Sequence, residues 1–169
     1  MPREPKVTVA AVIELSGRFL MVEERVNRRL LFNQPAGHVE RGETLLAAVV
    51  RETREETAWR FSPEALLGAY LWGNGGKIPV LRFAFIGSVS DHRPAQRLDR
   101  GIVRTHWLTR AELERRRARL RSPLVLRCVR DYLAGRRQPL SSTANLDLAG
   151  AAALGAAAPL TSEVTHLAL

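Results

Sequence analysis

The chain of 169 residues lacks the features that mark secreted and membrane proteins. Its single cysteine, Cys128, excludes an internal disulfide and fits a reducing cytosol, so we expect a cytoplasmic protein. The N-terminal residues offer no apolar core of a signal peptide. No uncharged apolar run reaches the roughly 18 residues that a membrane-spanning helix needs. There is no internal repeat either.

Positive charge is in excess, with a formal net charge of +9. Arginines cluster within residues 115–121 and again at residues 136–137. No aromatic residues are interleaved to stack bases, so we interpret these clusters as solvated helix faces, with a nucleic-acid surface as the alternative. In either case a basic surface steers polyanionic substrates towards the protein.

The composition divides the chain into two parts. Residues 1–140 are long enough and apolar enough for one globular domain with a real core. Residues 141–169 contain no Lys or Arg, and residues 148–159 are nearly all alanine, leucine and glycine. We expect this second part to be a weakly structured tail, with docking on a partner as the alternative.

Runs of β-branched and apolar residues predict five strands, at residues 7–15, 18–24, 66–72, 79–89 and 102–108. Residues 62–64, a Ser-Pro-Glu sequence, predict a turn before the third of them. Glu23 and Glu24 are interpreted as charges that close an edge strand, with metal ligation as the alternative.

Three stretches predict helices. The first covers residues 44–58. The second begins with a capping box formed by Thr109 and Glu112 and continues to about Leu120, and the third runs from Ser122 to about Leu133. Strands mixed with helices in this order predict an α+β fold, in which a mixed sheet lies between helical layers.

The first of these helices, with the glycine turn before it, is the most informative stretch. Glu52, Glu55 and Glu56 are spaced i, i+3 and i+4, which places their carboxylates on one face. Three like charges repel each other unless a cation neutralises them, and Mg²⁺ prefers such oxygen ligands. A solvated, salt-bridged face is the alternative, because Arg51 and Arg54 are interleaved.

The flanking residues make this stretch resemble the Nudix box, G-x5-E-x7-R-E-U-x-E-E-x-G-U, where U is a bulky aliphatic residue. The fixed positions are occupied by Gly37, Glu43, Arg51, Glu52, Glu55 and Glu56. Thr53 replaces the first aliphatic residue, Ala58 the late glycine and Trp59 the last aliphatic residue. Because alanine enters the left-handed conformation less readily than glycine, we expect the helix to run on into Trp59.

The resemblance covers residues 5–140 and implies a Nudix-type α/β/α sandwich with a mixed sheet. It also implies a divalent cofactor, Mg²⁺ with Mn²⁺ as a substitute. The implied metal ligands are the three glutamates Glu52, Glu55 and Glu56 and the carbonyl of Gly37. Arg51 is implied to orient Glu52 and to pair with Glu43, which makes Glu43, Arg51, Glu52 and Glu56 the catalytic candidates.

Within the superfamily, the chain is most similar to the phosphatase branch that acts on nucleoside tri- and diphosphates and on the thiamine-precursor pyrimidine pyrophosphate. Short matches beyond the box carry this similarity, at residues 7–10, 19–24, 33–38, 81–83 and 120–124. We therefore expect a Mg²⁺-dependent hydrolase of phosphoanhydride bonds in small molecules, with orthophosphate as the product. The release of orthophosphate rests on this branch alone.

Several alternatives stay open. The enzymatic ones are a Nudix pyrophosphatase of nucleotide sugars or of oxidised nucleotides, and an RNA-end hydrolase. A nucleotide-sensing module without turnover is the non-enzymatic one. We expect a monomer or a homodimer.

The proton acceptor and the substrate contacts are the least determined roles. Glu52, Glu56 and the loop acid Asp99 are candidates for the general base. His38 adjoins the glycine turn, where it could touch a phosphate. Arg82 is the one charge in its apolar strand, so it is either an edge residue or faces a phosphate-binding cleft. His38, Arg82 and Asp99 are the substrate-binding candidates.

Overall fold

The computed structural model describes residues 4–73 and 78–144, which form eight strands and three α-helices. The strands are β1 (Lys6–Val12), β2 (Glu14–Leu15), β3 (Arg18–Val26), β4 (Arg29–Asn33), β5 (Ala36–His38), β6 (Arg60–Trp72), β7 (Val80–Ser90) and β8 (Ile102–Thr109). The helices are α1 (Leu45–Thr57), α2 (Arg110–Arg115) and α3 (Leu124–Leu133). No helix within these ranges has both the length and the apolar character needed to cross a membrane.

The strands form two sheets. The first has the order β5-β1-β7-β6, and it is mixed because β1 and β7 run parallel while its other pairs are antiparallel. The second is antiparallel, and its long strand β3 pairs with β2, β4 and β8. The predicted mixed sheet is therefore confirmed.

Strand β1 shows how the layers are built, because its side chains alternate between two cores. Val9 belongs to a buried cluster that includes Val49 of α1. Its neighbour Ala10 belongs to a second cluster that includes Val125 and Val129 of α3. Helices thus cover opposite faces of the first sheet, as the α/β/α sandwich requires.

Helix α1 has well-defined ends. Its N-cap is Thr44, whose hydroxyl oxygen accepts a hydrogen bond from the Ala47 N–H over 3.0 Å. It ends at Thr57 because Ala58 adopts the left-handed conformation, with φ of +61°. The prediction that the helix runs on into Trp59 is wrong, because alanine here takes the conformation that glycine would adopt more cheaply.

Two other expectations are also wrong. Residues 62–64 are not a turn but part of β6, which already begins at Arg60, and a β-bulge between Pro63 and Ala65 accommodates the proline within the strand. Helix α2 ends at Arg115 rather than near Leu120. Most of the predicted tail, residues 145–169, lies outside the described residues.

Glu23 is not an edge residue, because β3 has hydrogen-bonded strands on both sides of it. Glu23 is 3% exposed, and its carboxylate contacts three basic groups. Arg104 Nε and Arg119 Nη2 lie 2.9 and 2.8 Å from its carboxylate, and His106 Nε2 lies 3.0 Å away. Burial opposes the charged form, but hydrogen bonds from Arg104 and His106 lower the pKa of Glu23 to about 2.

Candidate active site

A cleft of about 970 Å³ opens between α1 and the first sheet. Its volume suits a nucleotide-sized ligand. One part of its wall is acidic and consists of Glu52, Glu55, Glu56 and Asp99. Another part is mixed in charge and includes Glu24, Asn33, Arg82, Arg121 and Ser122. The cleft therefore combines a site for a cation with a separate polar wall.

Carboxylates from a helix and a loop converge in the acidic part. Ligand oxygens of Glu52, Glu55 and Asp99 lie within 4.8 Å of one another. Helical spacing brings Glu52 and Glu55 together, as the sequence indicates, whereas Asp99 comes from the connection between β7 and β8. Oxygen ligands at such separations are what a hard divalent cation requires.

The connection that carries Asp99 is fastened to α1. The Asp99 N–H donates a hydrogen bond to the Glu55 carbonyl over 3.0 Å. The Gln96 amide donates to the Arg54 carbonyl over 2.8 Å, and the Arg54 guanidinium forms an ion pair with Asp91 at 2.9 Å. These contacts hold Asp99 beside a helix that is more than forty residues earlier in the chain.

Glu56, like Glu52, is a buried carboxylate of α1. It accepts a hydrogen bond from the Ala36 N–H over 2.8 Å. Burial raises the pKa of Glu56 to about 9, and the charges of Glu52, Glu24 and Asp99 add to the rise. Burial also raises the pKa of Glu52. Acidic groups crowded in this way fit a bound divalent cation, which would favour their charged forms.

Gly37 in β5 lies directly against the acidic cluster. A Cβ atom at this position would overlap the carboxyl group of Glu52. Gly37 pairs with Val9 in the sheet and lines the cleft. Its lack of a side chain therefore gives the Glu52 carboxylate room beside the strand.

Arg51 contacts three acidic side chains, those of Glu43, Glu52 and Glu55. Its Nε and Nη2 atoms lie 2.8 and 2.9 Å from the two carboxylate oxygens of Glu43. Its Nη1 atom donates to Glu52 over 2.9 Å and to Glu55 over 3.0 Å. The hydrogen bonds with Glu43 are the main reason why the pKa of Arg51 is raised. One guanidinium thereby orients two of the converging carboxylates.

The structure also places the substrate-binding candidates His38 and Arg82 in the cleft. His38 lies at the wall with part of its surface exposed, and partial burial of the ring together with the charge of Lys6 lowers the pKa of the imidazole. Arg82 is 6% exposed and lies on β7, which is flanked by β1 and β6. Of the two alternatives for Arg82, the edge position is therefore excluded and the cleft position holds.

Sequence reasoning missed other residues of the mixed wall. Glu24 faces the cleft rather than closing an edge strand, and Arg121 Nε lies 3.3 Å from its Oε1 atom. Asn33 Oδ1 lies 3.4 Å from Arg82 Nη1. The sequence signals for these positions are the short matches to the phosphatase branch at residues 19–24, 33–38 and 120–124, and the alternative of metal ligation for Glu24.

A family model for the NUDIX domain matches residues 2–127. The chain therefore belongs to the NUDIX family, and with this acidic cluster in its cleft it is a hydrolase.

Two named relatives and one solved structure are similar to most of the chain. The chain is 41% identical over 137 residues to Phosphatase NudJ from Escherichia coli strain K12. The matched region covers 81% of this chain and 89% of that protein. Phosphatase NudJ from Shigella sonnei matches equally well, with 41% identity over the same length. A solved NUDIX hydrolase from Nitrosomonas europaea is 43% identical, with a TM-score of 0.82, and covers 85% of this chain and 98% of its own.

A more distant neighbour shows the fold alone. The MutT protein from Methanosarcina mazei has a TM-score of 0.62 at 22% identity, covering 81% of this chain and 99% of its own.

Proposed function

We propose that this hydrolase is a Mg²⁺-dependent enzyme that cleaves phosphoanhydride bonds in nucleoside di- and triphosphates and related small pyrophosphates, and that it releases orthophosphate. The observation that carries the proposal is the convergence of Glu52, Glu55 and Asp99 within 4.8 Å in a nucleotide-sized cleft. The similarity to Phosphatase NudJ extends over 137 residues, far beyond the box, and supports orthophosphate as the product.

The metal ligands in this proposal are Glu52, Glu55 and Glu56, with the Gly37 carbonyl beside them. Mn²⁺ is the expected substitute for Mg²⁺. A cation held by these ligands would neutralise charge on the polyphosphate and would make a water molecule more acidic, and water is the nucleophile of such hydrolyses. Arg51 holds Glu52 and Glu55 in their orientations, and Glu43 in turn holds Arg51.

Asp99 is the proton acceptor that the geometry favours among the three candidates. It is exposed, and its loop holds it beside Glu52 and Glu55. Glu56 is buried and already accepts a hydrogen bond from Ala36, and Glu52 is engaged by Arg51. Asp99 is therefore freest to take a proton from the attacking water.

The arginine cluster supports a small-molecule substrate over RNA. Arg119 contacts Glu23 and Arg121 contacts Glu24, so two of its members are engaged within the molecule. Arg116 donates a hydrogen bond to the Glu112 carbonyl over 3.1 Å. Fewer guanidinium groups of the cluster are therefore available for the continuous cationic surface that binding to a nucleic-acid phosphate backbone would use.

The test is a substrate panel assayed with Mg²⁺ and with a chelator. Nucleoside di- and triphosphates, nucleotide sugars, the thiamine-precursor pyrophosphate and triphosphate RNA belong in it, with products identified by phosphorus NMR. Orthophosphate from the small phosphates and no turnover in chelator are expected. Pyrophosphate or a sugar phosphate would reject the orthophosphate assignment, and faster turnover of RNA would reject the small-molecule assignment.

A second measurement tests the cation site without turnover. Mg²⁺ binding to the folded state is expected to raise Tm, by an amount that grows with the ratio of concentration to Kd. The rise is expected to disappear in Glu56→Gln and to persist in Glu64→Gln, whose side chain is exposed on β6. An equal Mg²⁺ response in both variants would remove Glu56 from the ligand set.

Four further predictions accompany this proposal. They are the domain boundary near residue 140, the tail over residues 141–169, the cytoplasmic location, and a monomeric or homodimeric state.

A further inference from the structure

The mixed wall of the cleft contains buried polar atoms that form no hydrogen bond within the described residues. Thr8 Oγ1, Glu24 Oε1, Arg82 Nε and Ser122 Oγ are buried and have no hydrogen-bond partner, and all four residues line the cleft. Thr8, Arg82 and Ser122 are between 6% and 7% exposed. A buried polar atom without a hydrogen bond destabilises a folded protein, so four of them on one wall indicate a ligand that completes them.

The fold holds these groups side by side. Thr8 of β1 and Arg82 of β7 are register partners in the parallel pair, so their side chains lie next to each other on one face of the sheet. Asn33 Oδ1 is 3.4 Å from Arg82 Nη1. Glu24 lies on β3 of the neighbouring sheet, and Arg121 Nε lies 3.3 Å from its Oε1 atom, although no hydrogen bond from the described residues is directed at that oxygen.

The mixture of donors and acceptors identifies the kind of ligand. A phosphate group at neutral pH offers acceptors alone, so it would match Arg82 and leave the Glu24 oxygen opposed to a like charge. A heterocycle with an exocyclic amino group offers N–H to a carboxylate and a ring nitrogen or carbonyl to an arginine or a serine. Trp72 lines the same cleft and adds an aromatic surface on which a ring can stack.

We propose that Thr8, Glu24, Arg82 and Ser122 form a base subsite that binds the hydrogen-bonding edge of an amino-substituted heterocycle, with Glu24 accepting from the amino group. The enzyme then prefers nucleotides whose ring carries an amino group over partners that carry an oxo group at the same carbon. This inference rests on the proposed phosphoanhydride hydrolysis at the acidic end of the cleft.

The test uses two substrate pairs that differ in this way, CTP with UTP and ATP with ITP. The ratio of kcat/KM within a pair does not depend on the fraction of active protein, so partial misfolding of a variant does not disturb it. The wild type is expected to favour the amino member about tenfold or more, because a site built for an N–H donor rejects an analogue without one. Glu24→Leu is expected to bring both ratios to about 1.

Three further variants complete the design. Arg82→Met is expected to lower kcat/KM most for CTP and ATP, because the ring nitrogen beside the amino group accepts a hydrogen bond there, whereas the same nitrogen carries a proton in UTP and ITP. Glu64→Gln, on the exposed surface of β6, is expected to keep the wild-type ratios. Should Glu24→Leu not fold, Glu24→Gln, which preserves the volume of the side chain, is expected to reduce the ratios in the same direction.

Wild-type ratios near 1 would overturn the base subsite, and so would ratios that stay unchanged in Glu24→Leu because all four substrates lose activity equally. Failure of the proposed function looks different, because then the wild type hydrolyses none of the four nucleotides. In that case calorimetry in chelator still tests the subsite, with tighter binding of CMP than of UMP expected in the wild type and equal binding in Glu24→Leu. Equal binding by the wild type would overturn it.

Discussion

Gly37 and Glu52 are in direct contact, so that a methyl group on Gly37 would occupy the space of the Glu52 carboxylate. The two residues belong to β5 and α1, and the contact fixes how closely the helix approaches the strand at the acidic cluster. Because the obstructing atoms are the end of a flexible side chain, a larger residue 37 would displace the carboxylate before it displaced the backbone.

Gly37→Ala is therefore expected to impair the enzyme without unfolding it. We expect kcat/KM to fall by about 10–100-fold, because a carboxylate displaced by about 1 Å no longer holds the productive geometry. Tm is expected to change by less than about 4 °C, which corresponds to about 1 kcal/mol in a chain of this size. The control is Gly73→Ala, where an added Cβ meets no atom within 4 Å. Wild-type activity of Gly37→Ala would show that the position of Glu52 is not required.

Arg51→Lys tests whether the shape of the guanidinium matters in addition to its charge. Arg51 contacts both oxygens of Glu43 and also reaches Glu52 and Glu55, which a lysine ammonium cannot do at once. We expect kcat to fall about tenfold or more and the free energy of unfolding to fall by about 1–2 kcal/mol.

Steady-state kinetics and urea unfolding measure the two effects of this change. Arg60→Lys, at an exposed position of β6, is the matched control and is expected to resemble the wild type. Normal kcat together with lower stability would reduce Arg51 to a structural role.

Glu23 is expected to govern part of the acid sensitivity of the fold. Its folded-state pKa of about 2 is below the ordinary value of 4.5, so its contribution is present above pH 4.5 and is lost as the pH falls towards 2. The shift corresponds to about 3 kcal/mol. Glu23→Gln is expected to be less stable than the wild type by about this amount at pH 7, and the difference is expected to vanish near pH 2.

Denaturant unfolding at a series of pH values measures this difference. Glu64→Gln, which removes an exposed carboxylate, is expected to follow the wild-type profile. A difference between Glu23→Gln and the wild type that stays constant from pH 7 to pH 2 would contradict the assignment to this carboxylate.

Ala58 is expected to tolerate glycine but not a β-branched residue. Its left-handed backbone, with φ of +61°, costs about 1–2 kcal/mol for a non-glycine residue. Glycine would relieve this strain. It would also lose the burial of one methyl group, about 0.8 kcal/mol, and its greater freedom in the unfolded chain would further oppose folding. The net change for Ala58→Gly is therefore expected to be under about 0.5 kcal/mol.

Ala58→Val is expected to lower the free energy of unfolding by about 2 kcal/mol or more, because valine is poorly accommodated in the left-handed region. Ala134→Val is the control, since Ala134 caps α3 with φ of −75° and is exposed. Thermal and urea unfolding measure both changes. Equal effects at residues 58 and 134 would show that backbone strain at Ala58 is not the cause.

Local patterns predicted much of the fold because they depend on neighbours in the chain. The alternation in β1 and the spacing of Glu52, Glu55 and Glu56 follow from the geometry of a strand and a helix. The same reasoning failed at Ala58 and at Pro63, where local propensity opposed what the structure adopts. At Pro63 the strand continues through a bulge, and at Ala58 the hydrogen bond from its N–H to the Arg54 carbonyl closes the helix.

By itself the sequence determined the sandwich of helices and sheet and the acidic face of α1, since periodicity and spacing within one element specify which side chains share a face. Only the tertiary structure decided that Asp99 joins Glu52, and that Glu24 and Arg82 line the same cleft. Those positions depend on hydrogen bonds and strand pairings between segments far apart in the chain. No local pattern encodes them, because each segment finds its partner only when the two sheets and α1 are packed together.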